Sequence, residues 1–131
     1  MPQIAKRVVE TGHTHRVSRP IDLVHLARQS LGDRMLEAEI LRMYDRLVEQ
    51  HFETVNHPEQ CGNVAHALHA LKGASAGVGA FGVSDIARDA EQELAASGAP
   101  RRETISDLEM KVVEVRQFIA GLLADVDAEF A

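Results

Sequence analysis

Apolar positions along this chain recur at spacings of three and four, a period that divides most of it into amphipathic helices. The first is short. Asp22 stands as its N-cap, Leu23, Leu26 and Ala27 form its apolar side, and Gly32 ends it. Asp33 can cap a long second helix, in which Leu36, Ile40, Met43, Leu47 and His51 follow spacings of four, three, four and four. Leu36, Ile40 and Met43 could serve either the core or an exposed face, periodicity alone favouring the core, and His57-Pro58 breaks the helix. A third helix is predicted from about Glu59 to Ala76, with Val64, Leu68 and Leu71 on one side. Gly77, Gly79 and Gly82 are then expected to turn the chain. The fourth helix carries Val83, Ile86, Ala90 and Leu94 and stops at Gly98-Ala99-Pro100. In the last, Ile105, Leu108, Val112, Val115, Ile119, Leu122 and Val126 alternate spacings of three and four, a heptad-like seam for packing against other helices.

No segment shows the strict alternation of a strand. Long amphipathic helices joined by short connections imply antiparallel neighbours. The expected fold is therefore all-α: an antiparallel four-helix bundle over residues 20–131, with a short additional N-terminal helix near residues 21–31. Residues 1–19 depart from the pattern. They hold Lys6, Arg7, Arg16 and Arg19 against one acid, Glu10, and Thr11, Gly12 and Pro20 mark them as a basic arm expected to be irregular. His13 and His15 in that arm do not by themselves complete a metal site.

Composition supports the helical reading: aromatics are 4 % of 131 residues and Trp is absent, whereas strands favour aromatic and β-branched residues. The net charge of −6 argues against nucleic acid as the main partner, since phosphate backbones need concentrated Lys and Arg. Cys61 is the sole cysteine, so no intrachain disulfide can form, and it is read as a small residue at a helix start. No apolar run approaches the roughly 20 residues of a membrane span, and the N-terminus lacks the apolar stretch of a signal peptide. A cytoplasmic protein without a membrane partner is expected.

The chemistry concentrates at residues 69–80. His69 has Lys72 three residues on and Gly73 four residues on, the positions that share its helix face. With Val64, Leu68 and Leu71 facing inward, His69 falls roughly 130–140° from the core direction at about 100° per residue. Ala65, Gly73 and Ala76 around it are small, so the ring is presented to solvent in a basic niche. A neutral imidazole, with its ordinary pKa of ~6.5, is a good nucleophile towards phosphorus near neutral pH. Phosphoryl transfer depends mostly on positioning and charge stabilisation, and the Lys72 ammonium suits the latter. A carboxylate accepting from Nδ1–H would fix the tautomer that leaves Nε2 free to attack.

Rival readings of nearby residues are weaker. His66 lacks the lysine and glycine pair and reads as a surface histidine. His25 and His51 fall near apolar stripes and read as packed or hydrogen-bonded. A metal site on His66 and His69 would need further ligands from other helices, and the Glu-x-x-His pairing of di-metal bundles is missing. Gly77-Val78-Gly79-Ala80-Phe81-Gly82 matches G-x-G-x-x-G in form, but that fingerprint follows a strand in a βαβ unit, whereas a helix precedes it here.

His69-Ala70-Leu71-Lys72-Gly73, followed by Val78-Gly79-Ala80 and by Val83, Ile86 and Glu91, resembles the signature of the histidine-containing phosphotransfer (HPt) domain. Ile21-Asp22-Leu23 through Leu31-Gly32-Asp33 is similar to that family's opening, and the last helix is similar by pattern only. The resemblance implies a relay intermediary: His69 accepts a phosphoryl group at Nε2 from a receiver-domain aspartate and passes it to another receiver domain. Response-regulator receivers, of a hybrid histidine kinase and a downstream regulator, are the partners it implies. It implies no cofactor in the chain itself, the Mg²⁺ belonging to the partner receiver, and no ATP site. Lys72 would stabilise phosphoryl charge, Gly73 would give steric clearance, and Glu91 would orient His69 through Nδ1.

Two other classes fit the residues less well. A histidine-kinase dimerisation and phosphoacceptor segment would place an acid directly after the histidine and a Pro shortly beyond, but Ala70 follows and the next Pro is Pro100. A non-transferring adaptor that binds receiver domains or a kinase would leave His69 incidental. A monomer is expected, because one exposed relay face needs no second copy.

Overall fold

The computed structural model describes residues 19–130. The arm assigned to residues 1–19 therefore lies, apart from Arg19, outside the described residues, and so do His13 and His15. Six helices follow in order: α1 Leu23–Gln29, α2 Arg34–Asn56, α3 Pro58–Cys61, α4 Val64–Val78, α5 Phe81–Ser97 and α6 Arg102–Phe130. No strand occurs among the described residues. α4 packs between α2 and α5, and α6 packs against the other sides of α2 and α5. The four long helices thus close a ring in chain order, with α1 laid over α2 and α4.

Local chemistry sets the helix starts. The side chain of Asp22 accepts from the amides of Val24 and His25, and that of Asp33 from Met35 and Leu36, which satisfies backbone donors that have no partner inside the helix. Asn63 does the same for α4 through the His66 amide at 3.0 Å. The predicted helix over 59–76 is accordingly two helices. Gly62, at φ +103°, stops α3, and Asn63 caps a fresh start at Val64. Cys61 closes the short α3 and does not begin a helix.

The glycine-rich turn is also smaller than expected. Gly77 and Gly82 lie inside α4 and α5, and only Gly79 and Ala80 separate those helices. Gly79 adopts φ +92°, and a Cβ there would come within 3.0 Å of the Asp22 carbonyl oxygen. That close approach allows the Asp22 amide to donate to the Gly79 carbonyl at 2.9 Å, tying α1 to the end of α4.

The core holds Leu26 of α1, Leu68 and Leu71 of α4, Val83, Ala87 and Ala90 of α5, and Leu108, Val112, Val115 and Ile119 of α6. Burying one such leucine contributes about 1.5–3 kcal/mol relative to leaving it in water. The α6 stripe read from sequence is thus the one that faces inward, with Ile105 and Leu122 at its partly buried margins. On α2 the core reading that periodicity favours fails for Leu36 and Met43. Its core residues are Ala38, Leu41, Tyr44, Val48, Phe52 and Val55, whereas Leu36 is 44 % and Met43 60 % exposed. Ile40, Leu47 and His51 are only half-buried. α2 carries two apolar stripes, and the one with the bulkier regular spacing is not the one the bundle covers.

Candidate functional site

His69 sits near the middle of α4, whose opposite face holds the fully buried Leu68 and Leu71. Its side chain is 72 % exposed. The Nδ1 atom lies 3.0 Å from Glu91 Oε2 on α5. An ionised carboxylate only accepts, so Nδ1 carries the hydrogen and donates, and the lone pair is left on Nε2. Among the described residues Nε2 has no hydrogen-bond partner.

Glu91 is held from two sides. Its Oε1 meets the Lys72 ammonium at 2.7 Å. That bond holds the Glu91 carboxyl below the usual carboxylate range, against partial burial and with a further contribution from His69. The carboxylate is therefore charged when the imidazole is neutral, and it bridges both residues that the sequence placed on this face. Lys72 is consequently engaged with Glu91 rather than standing free beside the ring.

The backbone beneath is also tied across helices. Ser84 Oγ on α5 donates to the Lys72 carbonyl at 2.9 Å, and Tyr44 of α2 shares a buried hydroxyl–hydroxyl bond of 2.6 Å with Ser75 of α4. Burial pushes the Tyr44 phenol well above its ordinary pKa, so it stays neutral. Neither Ser84 nor Tyr44 stood out in the sequence, because nothing local to them signals a partner on another helix.

Gly73 lies one turn beyond His69, and a Cβ built on it would meet nothing within 4 Å. The fold does not require glycine there, so the space it leaves matters only to something that approaches from outside.

The remaining histidines take other places. His25 Nε2–H donates to the Gly77 carbonyl at 3.0 Å, and its ring stands edge-on to Phe81 at 5.2 Å, in keeping with the packed, hydrogen-bonded reading. The His51 and His66 rings meet edge-on across α2 and α4 at 6.0 Å. Burial first, and then the charge of His66, lowers the His51 pKa. No group of three or more His, Cys, Asp or Glu residues is placed to hold a metal ion among the described residues.

Beside this site runs an apolar groove of about 330 Å³, lined by Ile40, Met43, Tyr44 and Leu47 of α2 and by Ala74, Gly77 and Val78 of α4, with Gln29 at its end. Ala74 and Gly77 fall within roughly two turns of His69 along α4. The α2 stripe that the core leaves uncovered is the wall of this groove.

The Hpt domain family model matches residues 22–128. The chain belongs to the HPt domain family, and it is a histidine phosphotransfer protein of two-component phosphorelays. Proteins of this family carry phosphoryl groups, are not kinases, and interact with receiver domains. No curated protein and no solved structure matched the chain. No helix among the described residues is long and apolar enough to cross a membrane.

Proposed function

We propose that His69 is the phosphoacceptor, taking a phosphoryl group from a receiver-domain aspartate and delivering it to a second receiver. The observation that carries this reading is the exposed imidazole whose Nδ1–H is held by Glu91 while Nε2 has no hydrogen-bond partner among the described residues. In the forward step the Nε2 lone pair attacks phosphorus, the N–P bond forms, and the P–O bond to the aspartyl carboxylate breaks with the electron pair leaving on that carboxylate. The Nδ1 hydrogen stays on the ring, and the Glu91 carboxylate offsets the positive charge that develops there. Glu91 acts as a positioning residue through His69.

Lys72, now 2.7 Å from Glu91, lies on the same face and can lean towards the phosphoryl oxygens as negative charge arrives. Gly73 gives the incoming aspartyl phosphate room. The groove walled by Met43 and Leu47 is the docking surface for both receivers, an apolar patch suited to brief encounters. In this reading the Mg²⁺ of the step belongs to the receiver. The carrier acts in the cytoplasm.

The test is transfer from a phosphorylated receiver, read by intact mass and acid lability. Wild type should gain about 80 Da, the mass of one phosphoryl group, as an acid-labile adduct. His69→Gln should gain nothing and His66→Gln should match wild type. Gly73→Ala should fold at least as well as wild type, by about 1 kcal/mol of helix propensity, yet accept more slowly. An adduct that survives His69→Gln rejects the assignment. No adduct from a panel of active receivers, in a folded protein, would mark the chain as a non-transferring adaptor.

A further inference from the structure

The corner between α1 and α2 holds a residue in a conformation that its side chain disfavours. Leu31 has φ +55°, in the left-handed region, and among the described residues it is the only one other than glycine with a positive φ. There the Cβ of an L-residue crowds the carbonyl oxygen that follows it, so glycine and asparagine take such positions more readily. The backbone is fixed on both sides: the Gly32 amide donates to the Ala27 carbonyl at 2.9 Å, and the Asp33 amide to the Ser30 carbonyl at 3.0 Å. Packing within the chain does little to offset the strain, because Leu31 is 89 % exposed. The corner thus holds a leucine outward in a preset direction.

The surroundings are apolar too, with Val24, Met35 and Leu36 exposed nearby in the chain. Leu36 and Met43 are seven residues, about two turns, apart and share one line of α2. Met43 is a wall of the groove, and Gln29 at the end of that groove stands two residues before Leu31. Apolar surface therefore continues from the groove to this corner. The path back to the relay histidine is short. His69 to Gly77 is about 12 Å along α4, Gly77 accepts from His25 of α1, and His25 to Leu31 is about 9 Å along α1.

We propose that Leu31 is a contact residue for the receiver domain, set against an apolar patch of the receiver beyond the groove. This rests on the reading of the groove as the receiver's docking surface. The family interacts with receiver domains, and a domain of about 100 residues, with a radius of gyration of about 13 Å, is broad enough to cover the path from His69 to Leu31. A specific interface engages about 20–30 residues a side, whereas eight residues line the groove. A receiver seated there must touch its margins. A side chain already held in position also loses little freedom on docking, which gives the strained leucine its use.

Receiver titration beside urea unfolding, on the full chain with Leu31→Asn, tests this. The urea midpoint should hold or rise, because asparagine tolerates the left-handed conformation, whereas Kd for the receiver should increase about tenfold. In transfer assays the receiver concentration giving half the maximal rate should rise while the saturated rate stays unchanged. Leu31→Met, which keeps an apolar side chain, should bind within about twofold of wild type, and so should Met110→Gln on α6. A midpoint lowered by Leu31→Asn would show the side chain to be packed within the fold and overturns the proposal. So does a Kd that Leu31→Asn leaves unchanged: if Met43→Glu with Leu47→Glu still weakens binding, the groove reading stands without Leu31, and if neither variant matters, both readings fall. Self-association that Leu31→Asn abolishes, with receiver affinity intact, assigns the corner to a second copy and likewise overturns it.

Discussion

The two flanks of α2 are treated differently by the bundle. Towards α6 the flank is closed by charge: Arg116 donates to Asp45 at 2.9 Å and to Glu49 at 3.1 Å, Arg42 reaches Asp127 at 3.5 Å, and Arg34 meets Glu129 at 3.1 Å. Towards α4 no ion pair closes the seam among the described residues; Ile40, Met43 and Leu47 instead wall an open groove. A flank finished with ion pairs has its polar groups satisfied within the chain. A flank that leaves apolar surface in water retains a hydrophobic driving force for a partner. The open flank runs within about two turns of His69 along α4, so under the proposed function it is the flank a receiver would use.

The largest effect expected from this contrast is on binding. Met43→Glu combined with Leu47→Glu should weaken receiver affinity about a hundredfold, or about 2.7 kcal/mol, while the urea midpoint of the carrier barely moves. Isothermal titration with a receiver, beside urea unfolding, would check it. Large destabilisation with unaltered affinity would show the flank to be core after all. Beneath the same flank, Tyr44→Phe removes the bond to Ser75 and leaves a buried hydroxyl without its partner, at a cost of about 1–2 kcal/mol in unfolding experiments. Phosphoryl acceptance by that variant should persist at wild-type rate.

On the closed flank, Arg116→Gln should cost no more than about 1 kcal/mol, because the ion pairs are partly exposed, and the loss should shrink in high salt. The smallest effects are those of pH. His51 has a folded-state pKa below its ordinary 6.5, so its contribution to stability is complete above pH 6.5 and is lost as pH falls through the lowered value. Glu91 likewise has a folded-state pKa below 4.5, so its share is complete above pH 4.5 and disappears at more acid pH. Urea midpoints measured against pH should therefore fall in two stages on acidification, and His51→Gln should flatten the upper stage alone.

Much of the molecule was legible in the sequence because it is decided within a turn or two of chain. Asp22 and Asp33 each cap a helix through amides two and three residues ahead. The α6 stripe from Leu108 to Val126 faces inward as its period requires, and Lys72 and Gly73 share a helix face with His69 because three and four residues make one turn. The class of fold and the identity of the presented histidine are both properties of this local kind. Which of two apolar stripes on α2 the bundle covers is not. Leu36, Ile40, Met43 and Leu47 have a regular helical spacing, but Leu41, Tyr44, Val48 and Phe52 fit the space left by α4, α5 and α6, and only the packed volume chooses between them. Tertiary structure likewise decided that Glu91, 22 residues from His69, meets both its Nδ1 and the Lys72 ammonium. A contact between side chains on two helices depends on how those helices cross, and no spacing along either one contains that information.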